Sequence, residues 1–171
     1  GVRNSGGNLM AIVSTDLKYY LSGGGSNADP DAALGGAISS VQASSSLIDD
    51  ISTAEAAAGE SEYRAFFVKN TNVSDTAYAV KVWIAVNTPA TSTAVQIALA
   101  DEGVANTIET VANEGTAPTG PTFDDAEDEA NALSIGNLAP GEAHGVWIKR
   151  TVAATTTAFA NDSATIRVKA N

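Results

Sequence analysis

The stretch Leu138-Ala-Pro-Gly-Glu-Ala-His-Gly-Val-Trp-Ile-Lys-Arg-Thr-Val152 decides the fold. Pro140 presets φ at the start of a turn, and Gly141 accepts a positive φ without steric cost. A period-two run follows, with Val146, Ile148, Arg150 and Val152 pointing one way and Trp147, Lys149 and Thr151 the other. Alternation of this kind, rich in β-branched residues, predicts a strand in a sheet with two different faces.

The same reading extends outward along the chain. Tyr63 to Asn70 alternates Tyr63, Ala65 and Phe67 against Arg64, Phe66 and Val68; apolar groups on both faces predict a central strand. Tyr78 to Val86 places Tyr78, Val80, Val82, Ile84 and Val86 on one face, and Thr88-Pro89 ends it. Val95, Ile97 and Leu99 predict a shorter strand stopped by Asp101-Glu102-Gly103. Further short strands are expected at Asp16 to Leu21, Ala37 to Val41, Thr107 to Val111, Leu133 to Ile135 and Thr165 to Ala170. Residues 52–60 predict one helical turn, capped by Ser52 with Glu55 at its third position and ended by Gly59.

Short strands recurring at roughly 8–12 residues define an all-β antiparallel β-sandwich, immunoglobulin-like or jelly-roll-like. A turn leading into a long aromatic-bearing strand near the end of the chain fits that class. Residues 1–60 are expected to be an N-terminal arm and wrapping segment, and residues 61–171 the sandwich domain. Deleting residues 1–35 is expected to leave a folded domain that no longer joins its assembly.

The 171 residues suffice for one domain with a core of its own. There is no cysteine, so disulfide and thiolate chemistry are excluded. No apolar stretch approaches the roughly 20 residues of a membrane span, and no retained secretory signal is expected. A formal net charge of −11 has the wrong sign for direct nucleic-acid binding. The charge is also unevenly placed. Lys18, Arg64, Lys69, Lys81, Lys149, Arg150, Arg167 and Lys169 fall in expected strands, with most acids in the loops between. That pattern reads as a solvated acidic surface, or as acidic loops that meet the basic strands of a neighbour.

No stretch carries a catalytic signature. Gly23-Gly24-Gly25 lacks the Lys-Ser/Thr ending and following helix of a phosphate-binding loop. Asp29-Pro30-Asp31 is a capped turn or half of a calcium site. The run Asp124-Asp125-Ala126-Glu127-Asp128-Glu129 is the densest in charge. Asp124, Asp125 and Asp128 are candidate metal ligands there, against a solvated loop or a contact with a neighbour's cation. His144, the only histidine, is read as a surface residue without partners for zinc or a nucleophile. Trp83 and Trp147 are read as packing residues, and no Gly-x-Ser-x-Gly elbow occurs. No enzyme and no cofactor is read from these residues.

One likeness extends over most of residues 16–170. Asp16-Leu-Lys-Tyr-Tyr-Leu-Ser-Gly-Gly-Gly-Ser-Asn-Ala-Asp-Pro-Asp-Ala-Ala-Leu-Gly-Gly-Ala-Ile38 resembles small virion structural proteins of tailed bacteriophages. The resemblance continues through Glu62 to Asn70, Glu109 to Gly120 and Leu133 to Thr151; residues 1–15 lie outside it. It implies a head decoration (cement) protein located in the virion, or a tail or fibre component, with no active site to carry over. The partners implied are the major capsid protein or other virion proteins, and further copies of the chain as a homo-oligomer. Tyr19, Tyr20, Asp29, Asp31, Lys149 and Arg150 are the candidate contact residues. A glycan- or receptor-binding module and a subunit of a strand-donating extracellular filament are the competing classes.

Overall fold

Two antiparallel sheets face each other across one apolar layer in the computed structural model, which describes residues 12–44, 47–155 and 162–171. The larger sheet has the order β1 (Leu17–Leu21), β3 (Glu60–Asn70), β8 (Ala143–Val152), β5 (Thr93–Val104). The smaller has the order β7 (Leu133–Leu138), β4 (Ala77–Val86), β9 (Thr165–Lys169). A two-stranded ribbon, β2 (Gly35–Gly36) with β6 (Ile108–Thr110), belongs to neither. The chain is therefore an all-β, antiparallel sandwich. Its four-plus-three division is shared with immunoglobulin-type folds. The connections differ, because β7 joins β4 in the opposite sheet and leaves β8 to pair between β3 and β5.

β3 and β8 are central, and both of their faces are covered. Phe66, Val68, Val146 and Ile148 pack against Val80, Val82, Ile84, Ile135 and Leu138 of the smaller sheet. On the reverse face, Ala65, Phe67 and Trp147 pack with Ala98, Ala100, Ile108 and Val111. That face is roofed by the β2–β6 ribbon and its loops. Trp147 is fully buried, and Trp83 is also buried. Burial on both sides is why β3 reads with apolar groups on both faces.

The roof comes down closely at Gly35, where φ is +97° and an added Cβ would lie 1.8 Å from the Glu109 carbonyl oxygen and 3.0 Å from the Trp147 ring. Both the left-handed backbone and the missing side chain are needed there. Gly35→Ala is expected to cost about 2–4 kcal/mol, since strain and overpacking add. Chemical denaturation gives the value; a loss under about 1 kcal/mol would mean that the ribbon lifts freely.

Several local expectations change. β5 does not stop at Asp101-Glu102-Gly103 but bulges there, with Gly103 at φ +80°, and resumes pairing at Val104 opposite His144. Asp101 and Glu102 are exposed, so their charge costs the strand little. His144 is buried rather than on the surface. Val68 and Val104 flank it, and its Nδ1 lies 2.8 Å from the Gly145 carbonyl oxygen. Ala37 to Val41 forms no strand; only Gln42 makes an isolated bridge, to Tyr20. In β4 the register shifts between Ala77 and Val80 and between Ile84 and Val86, so Tyr78 and Val86 turn out to solvent. A bulge inserts a residue and reverses the alternation beyond it. The capped turn is as expected: α1 (Thr53–Ala58) has Ser52 as N-cap, Glu55 completing the capping box and Gly59 closing it at φ +72°.

Residues 1–11 of the expected arm lie outside the described residues. The part that is described does wrap, but as part of the body. β1 pairs with β3 over its whole length, from Leu17 opposite Asn70 to Leu21 opposite Phe66. Farther on, the Ala65 amide donates to the Ala33 carbonyl at 2.8 Å. Ser22, fully buried, donates to the Ala65 carbonyl and accepts from the Gly35 amide.

The two flanks of the sandwich are closed differently. Along one, the Ile97 and Asp124 backbones exchange two hydrogen bonds and the Ile84 amide donates to the Ala126 carbonyl. The segment around Asp124 thus staples β5 to β4. Along the other, a groove of about 470 Å³ lies between β1 and β9, lined by Tyr19, Phe66, Leu47 and Ile166 among others. Tyr19 crosses it, its hydroxyl donating to the Ile166 carbonyl at 3.1 Å and its ring meeting Phe66 edge-on. Burial pushes the Tyr19 phenol up to about 12. A raised value means that its contribution to stability is complete below pH 10 and is lost as pH rises through about 12. Tyr19→Phe is expected to cost about 1 kcal/mol at neutral pH, through the lost hydrogen bond. It should also flatten the decline of stability between pH 10 and 12, followed by denaturation at stepped pH. An unchanged alkaline profile would place the phenol in water.

Candidate functional site: a carboxylate–arginine cluster

Charge is buried at one place among the described residues. On β3, Glu60, Glu62 and Arg64 follow at period two on the face that carries Phe66 and Val68. Cross-strand register sets Arg150 of β8 directly opposite Glu62. Glu62 and Arg64 are each 1% exposed and Arg150 is 9% exposed. The Arg150 guanidinium pairs with the Glu62 carboxylate and donates to the Asp49 carbonyl. Arg64 pairs with Glu114 and lies 3.7 Å from both Asp31 and Asp49. Loop residues thus gather around two buried guanidinium groups. Glu55 of α1 completes the set: one oxygen from each of Glu55, Glu60 and Glu62 lies within 4.8 Å of the others.

The balance is acidic, and Glu62 feels it. Burial pushes its carboxyl up, with Asp49 and Glu60 adding to the effect; Arg150 offsets this only in part. Glu60 is also raised, first by burial and then by the neighbouring Glu55. Glu55 itself is held low, chiefly by the Ser52 amide that caps α1. The buried Oε1 of Glu60 has no hydrogen-bond donor among the described residues, whereas Glu62 is met at Oε2 by the Arg150 guanidinium.

The residues singled out from the sequence are scattered by the fold. Asp31 and Arg150 belong to the cluster. Asp29 accepts from the Asp31 amide and caps a short 3-10 turn, Pro30–Ala32. Tyr20 lies under the Lys69 ammonium at 5.4 Å, and Lys149 stands 6.0 Å over the Phe123 ring. Tyr19 is occupied by the flank contact described above. Asp124, Asp125 and Asp128 do not converge: they accept from the Ala126 amide, the Gln96 side chain and Asn131 respectively. The residues that do converge, Asp49, Glu55, Glu60, Glu62, Arg64 and Glu114, were not singled out. One signal was present, the placement of Arg64 on a face otherwise expected to be apolar.

No protein-family model, curated protein or solved structure matches this chain. Among the described residues no helix is long and apolar enough to cross a membrane.

Proposed function

We propose that this protein is a structural subunit of a bacteriophage virion, a decoration protein that stabilises the head by binding the major capsid protein and neighbouring copies of itself. The sequence resemblance suggests the class, and one structural observation carries the reading: the two sheets treat their edges differently. In the larger sheet β1 is covered by residues 39–43, and β5 by Asn87 and Asp124. In the smaller sheet no strand lies beyond β7 or β9 among the described residues. An edge left open on a rigid sandwich is a template for adding a strand from another chain. Along β9 the Tyr19 hydroxyl reaches the Ile166 carbonyl, so among the described residues β7 is the edge left open beside three that are covered.

The acidic exterior fits a subunit that assembles beside packaged nucleic acid without binding it, and the doubly covered β3–β8 pair suits a subunit that must hold its shape under stress. No enzymatic role is assigned. Open edges also suit a filament subunit, and the experiment separates the cases. Mass spectrometry of purified particles would give the copy number relative to the coat protein. A ratio near that of the coat protein is expected; a few copies per particle would place the chain on the tail, and absence from particles would overturn the virion reading.

A further inference from the structure

We propose that Leu9-Met10-Ala11 of one copy adds as a strand, parallel to β7, on the open edge of β7 in a neighbouring copy. The inference rests on reading that edge as an assembly surface, and it names what the surface receives. The Ile84 amide faces the Ala126 carbonyl, so alternation turns Val82 to Leu133 and leaves the N–H and C=O of Ser134 directed away from β4. β7 contains no charged residue and no proline, two of the usual guards of an edge. Gly136, at φ +90°, bends the strand and confines its regular edge to the Leu133 end. A short partner is therefore sufficient. The flank beside this edge is also unfinished. The Asp124–Ala126 staple closes it at Ile97 and Ile84, but farther along β5 Leu99 and Val104 stay only partly buried. Inward side chains of one more strand beyond β7 would cover them.

The sequence ahead of β1 supplies such a strand. Leu9-Met10-Ala11-Ile12-Val13 is an unbroken apolar run, and the chain before Asp16 carries no carboxylate and one cation, Arg3. In a protein of net charge −11 that segment has the opposite sign to its surroundings. The approach to β7 is Glu127-Asp128-Glu129, all exposed. A strand running parallel to β7 carries Arg3 toward this acidic run, and an antiparallel one carries it away.

Geometry places the acceptor on another copy. Ile12 packs on the core, and the Val13 amide is bonded to Asp16 just ahead of β1. β1 faces β9, whereas β7 is the opposite edge of the smaller sheet. To lie beyond its own β7 the chain would cross three strand spacings, about 14 Å. That takes about four extended residues, which uses up Leu9 to Ala11 in the crossing.

The absence of cysteine makes a direct test possible. Full-length Met10→Cys is mixed with affinity-tagged full-length Ser134→Cys under mild oxidation, so that a mixed disulfide joins two copies. Its yield should exceed by roughly tenfold or more that of Met10→Cys with Asp101→Cys, a control on the exposed bulge of β5. Leu9→Pro, added to Met10→Cys, removes a backbone donor and should abolish the excess with Tm unchanged. Excess synthetic peptide of residues 1–13 should suppress it too. No excess at Ser134 over Asp101 overturns the proposal, as does an excess that survives Leu9→Pro. A missing cross-link in a protein found in particles near the coat-protein ratio would sink the donated strand and leave the virion reading standing. A specific cross-link in a protein absent from particles would do the reverse.

Discussion

A chain lacking residues 1–35 is expected not to fold, contrary to what the sequence alone suggests for a terminal arm. The deletion removes β1, all five of whose residues pair with β3. It also removes Leu17 and Leu21, which are 6% and 2% exposed. Burying two leucines contributes about 3–6 kcal/mol. The Ala33 carbonyl that satisfies the Ala65 amide goes too, as does the Ser22 hydroxyl that donates to the Ala65 carbonyl. Both groups then lose their partners along an edge of β3 that β1 no longer covers, and Gly35 of the roof goes with them, each lost hydrogen bond costing about 0.5–1.5 kcal/mol. The sum consumes the roughly 5–15 kcal/mol available to a domain. Circular dichroism and thermal melting should give no cooperative transition. A cooperative melt within a few degrees of the intact protein would mean that residues 1–35 are an appendage after all.

Arg150→Met carries the second large effect. It leaves Glu62 buried opposite a thioether, and the cheapest response is protonation. At pH 7 that costs a carboxyl of ordinary pKa about 3–4 kcal/mol, which sets the expected loss of stability. The sign of the pH dependence follows. With Arg150 gone the Glu62 pKa in the folded state rises further, so the variant's stability is present at low pH and is lost as pH rises. The deficit against wild type should therefore shrink toward pH 5 and be widest at pH 8. Glu62→Leu combined with Arg150→Met should recover most of the loss, because an apolar pair of similar volume replaces a buried ion pair at little cost. A single variant as stable as wild type, or a deficit that grows in acid, would show that the pair is solvated.

These expectations bear on assembly. A domain whose N-terminal strand is integral and whose buried charges are paired across its central strands changes shape little on docking. Recognition would then rest on the edge of β7, which no strand covers among the described residues.

The sequence by itself determined the strands. Period-two alternation is a property of one segment, so β3, β4, β8 and β9 were legible, and a double-sided apolar run marked β3 as central. The helix was legible because the Ser52–Glu55 capping box and Gly59 lie within eight positions of one another. Tertiary structure alone decided the rest. That Glu62 meets Arg150 depends on the β3–β8 register, and that Arg64 meets Glu114 depends on a loop 50 residues away. The acidic run looked like ligands because its carboxylates are adjacent in sequence; its backbone instead closes a flank, and each singled-out Asp turns to a different donor. Periodicity is local and reports which face a side chain takes. Which charges share that face, and whether β1 is an arm or a strand, is set by pairing between segments far apart in the chain, and no local pattern carries that information.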